Sequence, residues 1–135
     1  MRRSISAFLA IAAIAALTGA KPPPRDVPVR IGGTPDLDAC PSSAHVTGLN
    51  PRGDNFLSVR SRASASGREL DRLRGGYTVW ACDETADGEW TGVVYAPPGR
   101  DVDCGVGTPI ARRQAYRGPC ASGWVASRYL TIVAG

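Results

Sequence analysis

Histidine and the common catalytic and metal-binding motifs are scarce in this chain. It has one histidine, His45, among 135 residues, and its four cysteines form no Cys-x-x-Cys pair. Structural zinc sites usually combine such a pair with further cysteines or histidines, so a zinc ion is disfavoured. The sequence also lacks a phosphate-binding glycine loop, a Gly-x-Ser-x-Gly nucleophile motif and a helical histidine pair. These absences argue against a catalytic site, a metal site and a bound cofactor.

A dense basic patch and a long hydrophobic run are also missing. The chain carries 16 basic and 12 acidic side chains, for a formal net charge of +4. A surface this mildly basic does not predict nucleic-acid binding. The longest apolar run, residues 5–17, is shorter than the roughly 20 residues that a membrane-spanning helix needs.

The beginning of the chain has the order of a secretory signal peptide. Arg2 and Arg3 precede the apolar run, and Thr18-Gly19-Ala20 supply small residues after it. This order predicts cleavage after Ala20, so residues 1–20 are expected to be a signal peptide. An uncleaved anchor is the alternative, which the short run disfavours. We expect a periplasmic or secreted protein with no stable membrane insertion after cleavage.

The even number of cysteines fits an exported protein. Small exported domains often use disulfides because their hydrophobic cores are small. The cysteines are Cys40, Cys82, Cys104 and Cys120, which allow three pairings that the sequence alone does not decide. We favour Cys104–Cys120, because these two flank a long segment that needs tethering. Cys40–Cys82 is then the remaining pair.

Residues 21–39 are predicted to be a linker. The segment contains Pro22-Pro23-Pro24, Pro28, Gly32-Gly33 and Pro35. Proline at this density disfavours helix and sheet and favours an extended, solvated chain. A docking role for the proline run is the less favoured alternative. The folded domain is expected over residues 40–135.

The pattern after residue 40 is that of a small all-β domain. No stretch has the sustained 3.6-residue periodicity of a helix, and short alternating runs are separated by turn residues. The expected strands cover residues 44–49, 56–60, 77–82 and 89–96, with two short ones within 124–133. Residues 69–73 are either one helical turn or an irregular strand, and residues 97–119 are an insertion. Closely spaced strands and glycine-rich turns predict a small β-barrel of about five to six strands.

Several of these segments resemble, in order, those of the bacterial Src-homology-3 (SH3b) domain family. They are Val46 to Leu49, Leu57-Ser58-Val59-Arg60-Ser61, Gly75-Gly76, Gly88 to Tyr95, and Gly123-Trp124-Val125 continuing to Leu130. The chain departs from the family at Arg62-Ala63, where Gly-Pro is usual, and in the long segment 96–122. The resemblance covers residues 42–133 and implies an SH3-like β-barrel.

The resemblance also implies a non-catalytic binding module for a cell-wall peptide (peptidoglycan) or a protein segment. The groove is expected between the loop 50–55, the hairpin that carries Trp80 and Trp90, and the turn near Tyr129. If Val79 points inward, strand alternation exposes Trp80, which would form a stacking platform with Tyr95. The predicted ligand-binding residues are Asp54, Arg60, Trp80, Trp90, Tyr95 and Tyr129.

A purely structural role is the alternative for several of these residues. Core packing is the alternative for Trp90, and a surface ion pair is the alternative for Arg60. Two further classes of function also stay open. A periplasmic scaffold or inhibitor would bind a protein partner through the insertion 97–119. An enzyme would need an acid–base pair that no motif identifies, or a role for His45.

Overall fold

The computed structural model describes residues 11–13, 19 and 21–135, so the predicted signal peptide lies almost entirely outside the described residues. No helix within the described part is long and apolar enough to cross a membrane. Nine strands and one 3₁₀ turn make up the regular structure of this part. The chain is therefore nearly all-β, as the sequence predicts.

The strands alternate with short turns along the chain. They are β1 (Arg30–Ile31), β2 (Ser42–Val46), β3 (Leu57–Arg60), β4 (Glu69–Leu73), β5 (Thr78–Glu84), β6 (Trp90–Tyr95), β7 (Gln114–Ala115), β8 (Ala121–Ala126) and β9 (Leu130–Ala134), and the 3₁₀ turn is Ser127–Tyr129. Seven strands form one antiparallel sheet in the order β4-β3-β8-β6-β5-β2-β9, and β1 pairs with β7 separately. Among the described residues the large sheet does not close, so β4 and β9 are its edges. The strand number exceeds the predicted five to six because β1 and β7 lie in the expected linker and insertion, and because residues 69–73, left open between a helical turn and a strand, form β4.

The two edges differ in chemistry. Edge strand β4 carries Glu69, Asp71 and Arg72, whereas β9 carries no charged side chain. Along β9 the pairing with β2 shifts register between Ser43 and Ala44, which leaves Val133 as an extra residue on β9. Such a β-bulge locally disrupts the ladder and bends the strand.

The main core lies under one face of the large sheet. Alternation along β3 buries Leu57 and Val59 and leaves Ser58 and Arg60 less buried. The full core cluster comprises Ala44, Val46, Leu57, Val59, Leu73, Val79, Val93, Tyr95 and Val125. Each fully buried aliphatic side chain of this kind contributes roughly 1.5–3 kcal/mol. Residues 69–73 belong to this arrangement as strand β4, so the helical alternative for them is wrong.

A second apolar cluster, which we call the outer layer, covers the other face of the β5–β6 hairpin. Its buried members are Ile31, Ala39, Cys40, Val94, Cys104 and Val106, with Trp80 packed against them. Both favoured disulfides are present here, Cys40–Cys82 and Cys104–Cys120. Disulfides of this kind indicate an oxidising environment.

Residues 26–31, which we call the strap, are held against the sheet through two buried side chains, of which Ile31 belongs to the outer layer, so this segment is not a solvated linker. Val29 and Ile31 are buried. The Val27 amide donates to the Ser61 carbonyl at 2.9 Å, and the Tyr116 amide donates to the Val29 carbonyl at 2.8 Å. The linker prediction therefore differs from the structure here. The backbone groups of this proline-rich segment were expected to form hydrogen bonds with water, but pairing with the insertion satisfies them instead.

Candidate functional site

An open groove of about 990 Å³ lies between three loops that are far apart in sequence. Its walls are the loop after β2, the tip of the β5–β6 hairpin, and the turn between β8 and β9. Residues 48–50, 54, 87–90 and 126–129 contribute to these walls, and Leu57, Ser58 and Arg60 of β3 also line the groove. The position corresponds to the groove expected from the sequence.

Hydrogen bonds join the three walls. The Ser127 amide donates to the Glu89 carbonyl at 2.9 Å, and the hydroxyls of Thr91 and Ser127 lie 2.7 Å apart. On the other side, the Thr47 amide donates to the Tyr129 carbonyl at 2.9 Å. Because these contacts fix the loops before any ligand arrives, binding here costs less ordering entropy than binding to free loops.

The hairpin tip is organised around Asp87. Its carboxylate accepts the Thr85 hydroxyl at 2.6 Å and the Glu89 amide at 2.9 Å. The Thr85 hydrogen bond is the main cause that lowers the pKa of Asp87, so this carboxylate stays ionised in mild acid. Gly88 has a φ of +72°, a left-handed conformation that glycine adopts without steric cost.

Three partly exposed aromatic rings line the groove, those of Phe56, Trp90 and Tyr129. The guanidinium of Arg72 lies 4.2 Å from the centre of the Phe56 ring, and that of Arg128 lies 4.8 Å from the Tyr129 ring. Such cation–π contacts hold the rings in defined orientations. The groove thus offers apolar contact area in fixed places.

Charges of both signs surround these rings. Three carboxylates line the groove, those of Asp54, Asp87 and Glu89, together with the guanidinium groups of Arg60 and Arg128. Arg60 donates to the Gly67 carbonyl at 3.0 Å, so its predicted alternative, a surface ion pair, is not what the structure contains. Arg128 stacks on an aromatic ring, as described above. The carboxylates of Asp54 and Glu89 have no hydrogen-bond or ion-pair partner within the described chain.

Four of the six predicted ligand-binding residues line this groove: Asp54, Arg60, Trp90 and Tyr129. Trp80 and Tyr95 do not. Tyr95 is 1% exposed and belongs to the main core, where its hydroxyl donates to Asp71 at 2.8 Å. Burial is the main cause that raises the pKa of Tyr95, and the Asp71 carboxylate raises it further.

The predicted stacking platform of Trp80 and Tyr95 is therefore wrong. Val79 does point inward, as that prediction required. However, the face that Trp80 enters is covered by the outer layer instead of solvent. Alternation correctly separated the two faces of β5 but did not show that the outer layer covers part of the second face and leaves Trp80 only partly exposed.

Sequence reasoning missed four groove residues, Phe56, Asp87, Glu89 and Arg128. Phe56 had a usable signal, since strand alternation places it on the same face as Ser58 and Arg60. The acidic hairpin tip flanks Trp90, but clustered charge in a turn is usually solvated and does not by itself indicate a site. Arg128 directly precedes Tyr129 and could have been found through it.

The insertion 97–119 takes no part in the groove that the structure describes. It packs through Cys104 and Val106 into the outer layer. Its long departure from the family pattern therefore leaves the groove open. Among the described residues no three side chains of histidine, cysteine, aspartate or glutamate are grouped to hold a metal ion.

No protein-family model, no curated protein and no solved structure matches this chain. The geometry of the groove is therefore the basis on which a function is proposed.

Proposed function

We propose that this protein is a non-catalytic, exported binding module that holds an extended peptide in the groove. The observation that carries the proposal is the convergence of three separate loops on Phe56, Trp90 and Tyr129, with free carboxylates beside them. Aromatic rings supply contact area at low conformational cost, and a few charged groups fix orientation. This composition suits recognition of a short peptide segment.

An SH3-like, partly open barrel is the fold that we propose for the domain. Strands β5, β6 and β8 form an antiparallel meander, and β9 returns to pair with β2. The 3₁₀ turn Ser127–Tyr129 connects the meander to the last strand and forms one groove wall. These features support the family resemblance over residues 42–133.

A cell-wall peptide is the ligand that we favour. The two disulfides indicate an oxidising environment, and a periplasmic or secreted location would bring the groove to peptidoglycan. Binding instead of catalysis is favoured because the only histidine, His45, is on β2 and does not line the groove. The Ser58 hydroxyl of the groove donates to the Glu69 carboxylate, and this bond is the main cause that lowers the pKa of Glu69, which makes it a weak base for activating a nucleophile.

Co-sedimentation with purified cell-wall sacculi tests this proposal. The oxidised protein, residues 21–135, should bind saturably, and binding should persist at 1 M salt, where the Debye length is about 3 Å. Trp90→Ala should weaken binding by about tenfold or more, the usual effect of losing a central aromatic. Asp101→Asn, an exposed change in the insertion, is the matched control and should bind like the parent.

Loss of binding at modest salt would contradict the proposal, since it would reveal simple electrostatic attraction. No binding at all would also contradict it and would direct attention to a protein partner of the insertion 97–119. Urea unfolding of the Trp90→Ala protein should accompany the assay, and Asp54→Asn provides a second groove variant that does not alter packing.

A further inference from the structure

The five residues before the strap form an exposed, cationic proline segment. Lys21-Pro22-Pro23-Pro24-Arg25, which we call the proline segment, is exposed throughout. Fixed contacts begin only at Asp26, whose carboxylate pairs with Arg68 at 2.8 Å. The proline segment therefore projects from an anchored point, and within the described structure it forms no hydrogen bond or ion pair.

Three consecutive prolines determine the shape of this segment. Each proline ring restricts φ to about −65°, which favours the polyproline II helix. That helix rises about 3.1 Å per residue, so five residues extend over roughly 15 Å. Because the segment is already extended before binding, little further conformational entropy is lost when it docks.

The groove is complementary to such a segment in both shape and charge. Polyproline II segments bind in grooves lined with aromatic rings, as supplied here by Phe56, Trp90 and Tyr129. The proline segment is positively charged at both ends, through Lys21 and Arg25. The groove has three carboxylates, whereas its two arginines are engaged with Gly67 and with the Tyr129 ring.

We propose that the groove binds the proline segment of a second copy of this chain. This inference rests on the proposed function, because it names an occupant for the same peptide groove. In the structure the segment lies in solvent and does not line its own groove, which favours a segment that comes from another molecule. The contact joins different surfaces of the two copies, so it produces head-to-tail chains or, where two copies exchange their segments reciprocally, a closed dimer.

Sedimentation velocity over a range of concentrations tests the self-association. The sedimentation coefficient of residues 21–135 should rise with concentration. The triple variant Pro22→Ser, Pro23→Ser, Pro24→Ser should associate about tenfold more weakly, as the loss of one good contact implies. Pro98→Ser, an exposed change in the insertion, is the matched control and should associate like the parent. Equal behaviour of the parent and the triple variant would overturn the proposal.

Peptide titration locates the contact. A synthetic Lys-Pro-Pro-Pro-Arg peptide, added to the triple variant, should shift the indole NMR signal of Trp90 and leave that of Trp80 unchanged. Glu89→Gln should weaken this binding by severalfold without altering the fold, because its carboxylate has no partner among the described residues. No shift of Trp90, or a shift of Trp80 alone, would overturn the proposal.

Two comparisons separate this inference from the proposed function. Binding to sacculi without binding of the peptide overturns the inference and leaves the proposed function standing. If the protein binds neither the sacculi nor the peptide, the inference and the proposed function are both contradicted. If the parent and the triple variant differ at Trp90 even at concentrations where each is monomeric, the segment occupies its own groove and the second copy is excluded.

Discussion

Trp124 on β8 donates its indole N–H to the carbonyl oxygen of Val27 at 2.8 Å, joining residues that are 97 positions apart. The bond fixes the strap to the large sheet. Trp124→Phe should remove the donor and keep most of the buried ring, at a cost of roughly 1 kcal/mol. Amide hydrogen exchange at Val27 should become faster. Trp90→Phe is the control and should leave the exchange rate at Val27 unchanged. An unchanged rate in Trp124→Phe as well would show that this bond does not hold the strap.

A second prediction concerns alkaline pH and Tyr95. Burial raises the pKa of Tyr95 in the folded protein above its ordinary value of 10.0. A raised folded pKa contributes stability that is present below the unfolded value and is lost as pH rises toward the folded value. The free energy of unfolding should therefore fall above pH 10, when followed by urea titration. Tyr95→Phe should reduce this loss of unfolding free energy above pH 10. An equal loss in that variant would show that another group causes the pH dependence.

A third prediction concerns Gly92 on β6. A Cβ atom at this position would lie 2.8 Å from the Asp83 Cβ atom and 3.0 Å from a methyl group of Val29. Gly92→Ala should therefore push the strap away and cost about 1–3 kcal/mol, as overpacking does. Gly75→Ala is the control, because no atom lies within 4 Å of its added Cβ atom. Equal denaturation midpoints for the two variants would contradict the close approach of strap and sheet.

The disulfides should contribute unequally to stability. Cys40–Cys82 closes a loop with a sequence separation of 42, and Cys104–Cys120 one of 16. Each disulfide restricts the unfolded chain. Replacing the cysteines by alanine should therefore lower the free energy of unfolding by about 4 kcal/mol for Cys40–Cys82 and by about 3 kcal/mol for Cys104–Cys120. Guanidinium unfolding of the two double variants measures this order. A larger loss for Cys104–Cys120 would mean that native contacts in the insertion contribute more to stability than the restriction of the unfolded chain.

Local patterns predicted the strands better than they predicted what covers them. The alternation of Leu57 and Val59 identified β3 and its inward face, because a two-residue period is a property of the strand itself. Burial of Trp80 depends on the outer layer, which comes from segments distant in sequence. Val29 and Ile31 also alternate, and this was the available signal for β1. The high local proline content led to the opposite interpretation.

The groove was predicted in position but only partly in composition. Asp54 and Trp90 line the groove, and both lie in the loop and the hairpin to which the resemblance to SH3b domains pointed. Glu89 was missed because charge at a hairpin tip is usually solvated and carries no signal of its own. Only the three-dimensional approach of Ser127 to that tip makes it part of a binding surface.

The bulge at Val133 has a consequence for solubility. Residues 129–135 carry no charged side chain, and an edge strand without such side chains is a ready template for the addition of further strands. Side-chain charge protects β4, whereas backbone irregularity protects β9. We therefore expect any resistance of this domain to fibril formation to depend on Val133, the extra residue of the bulge, as well as on the net charge.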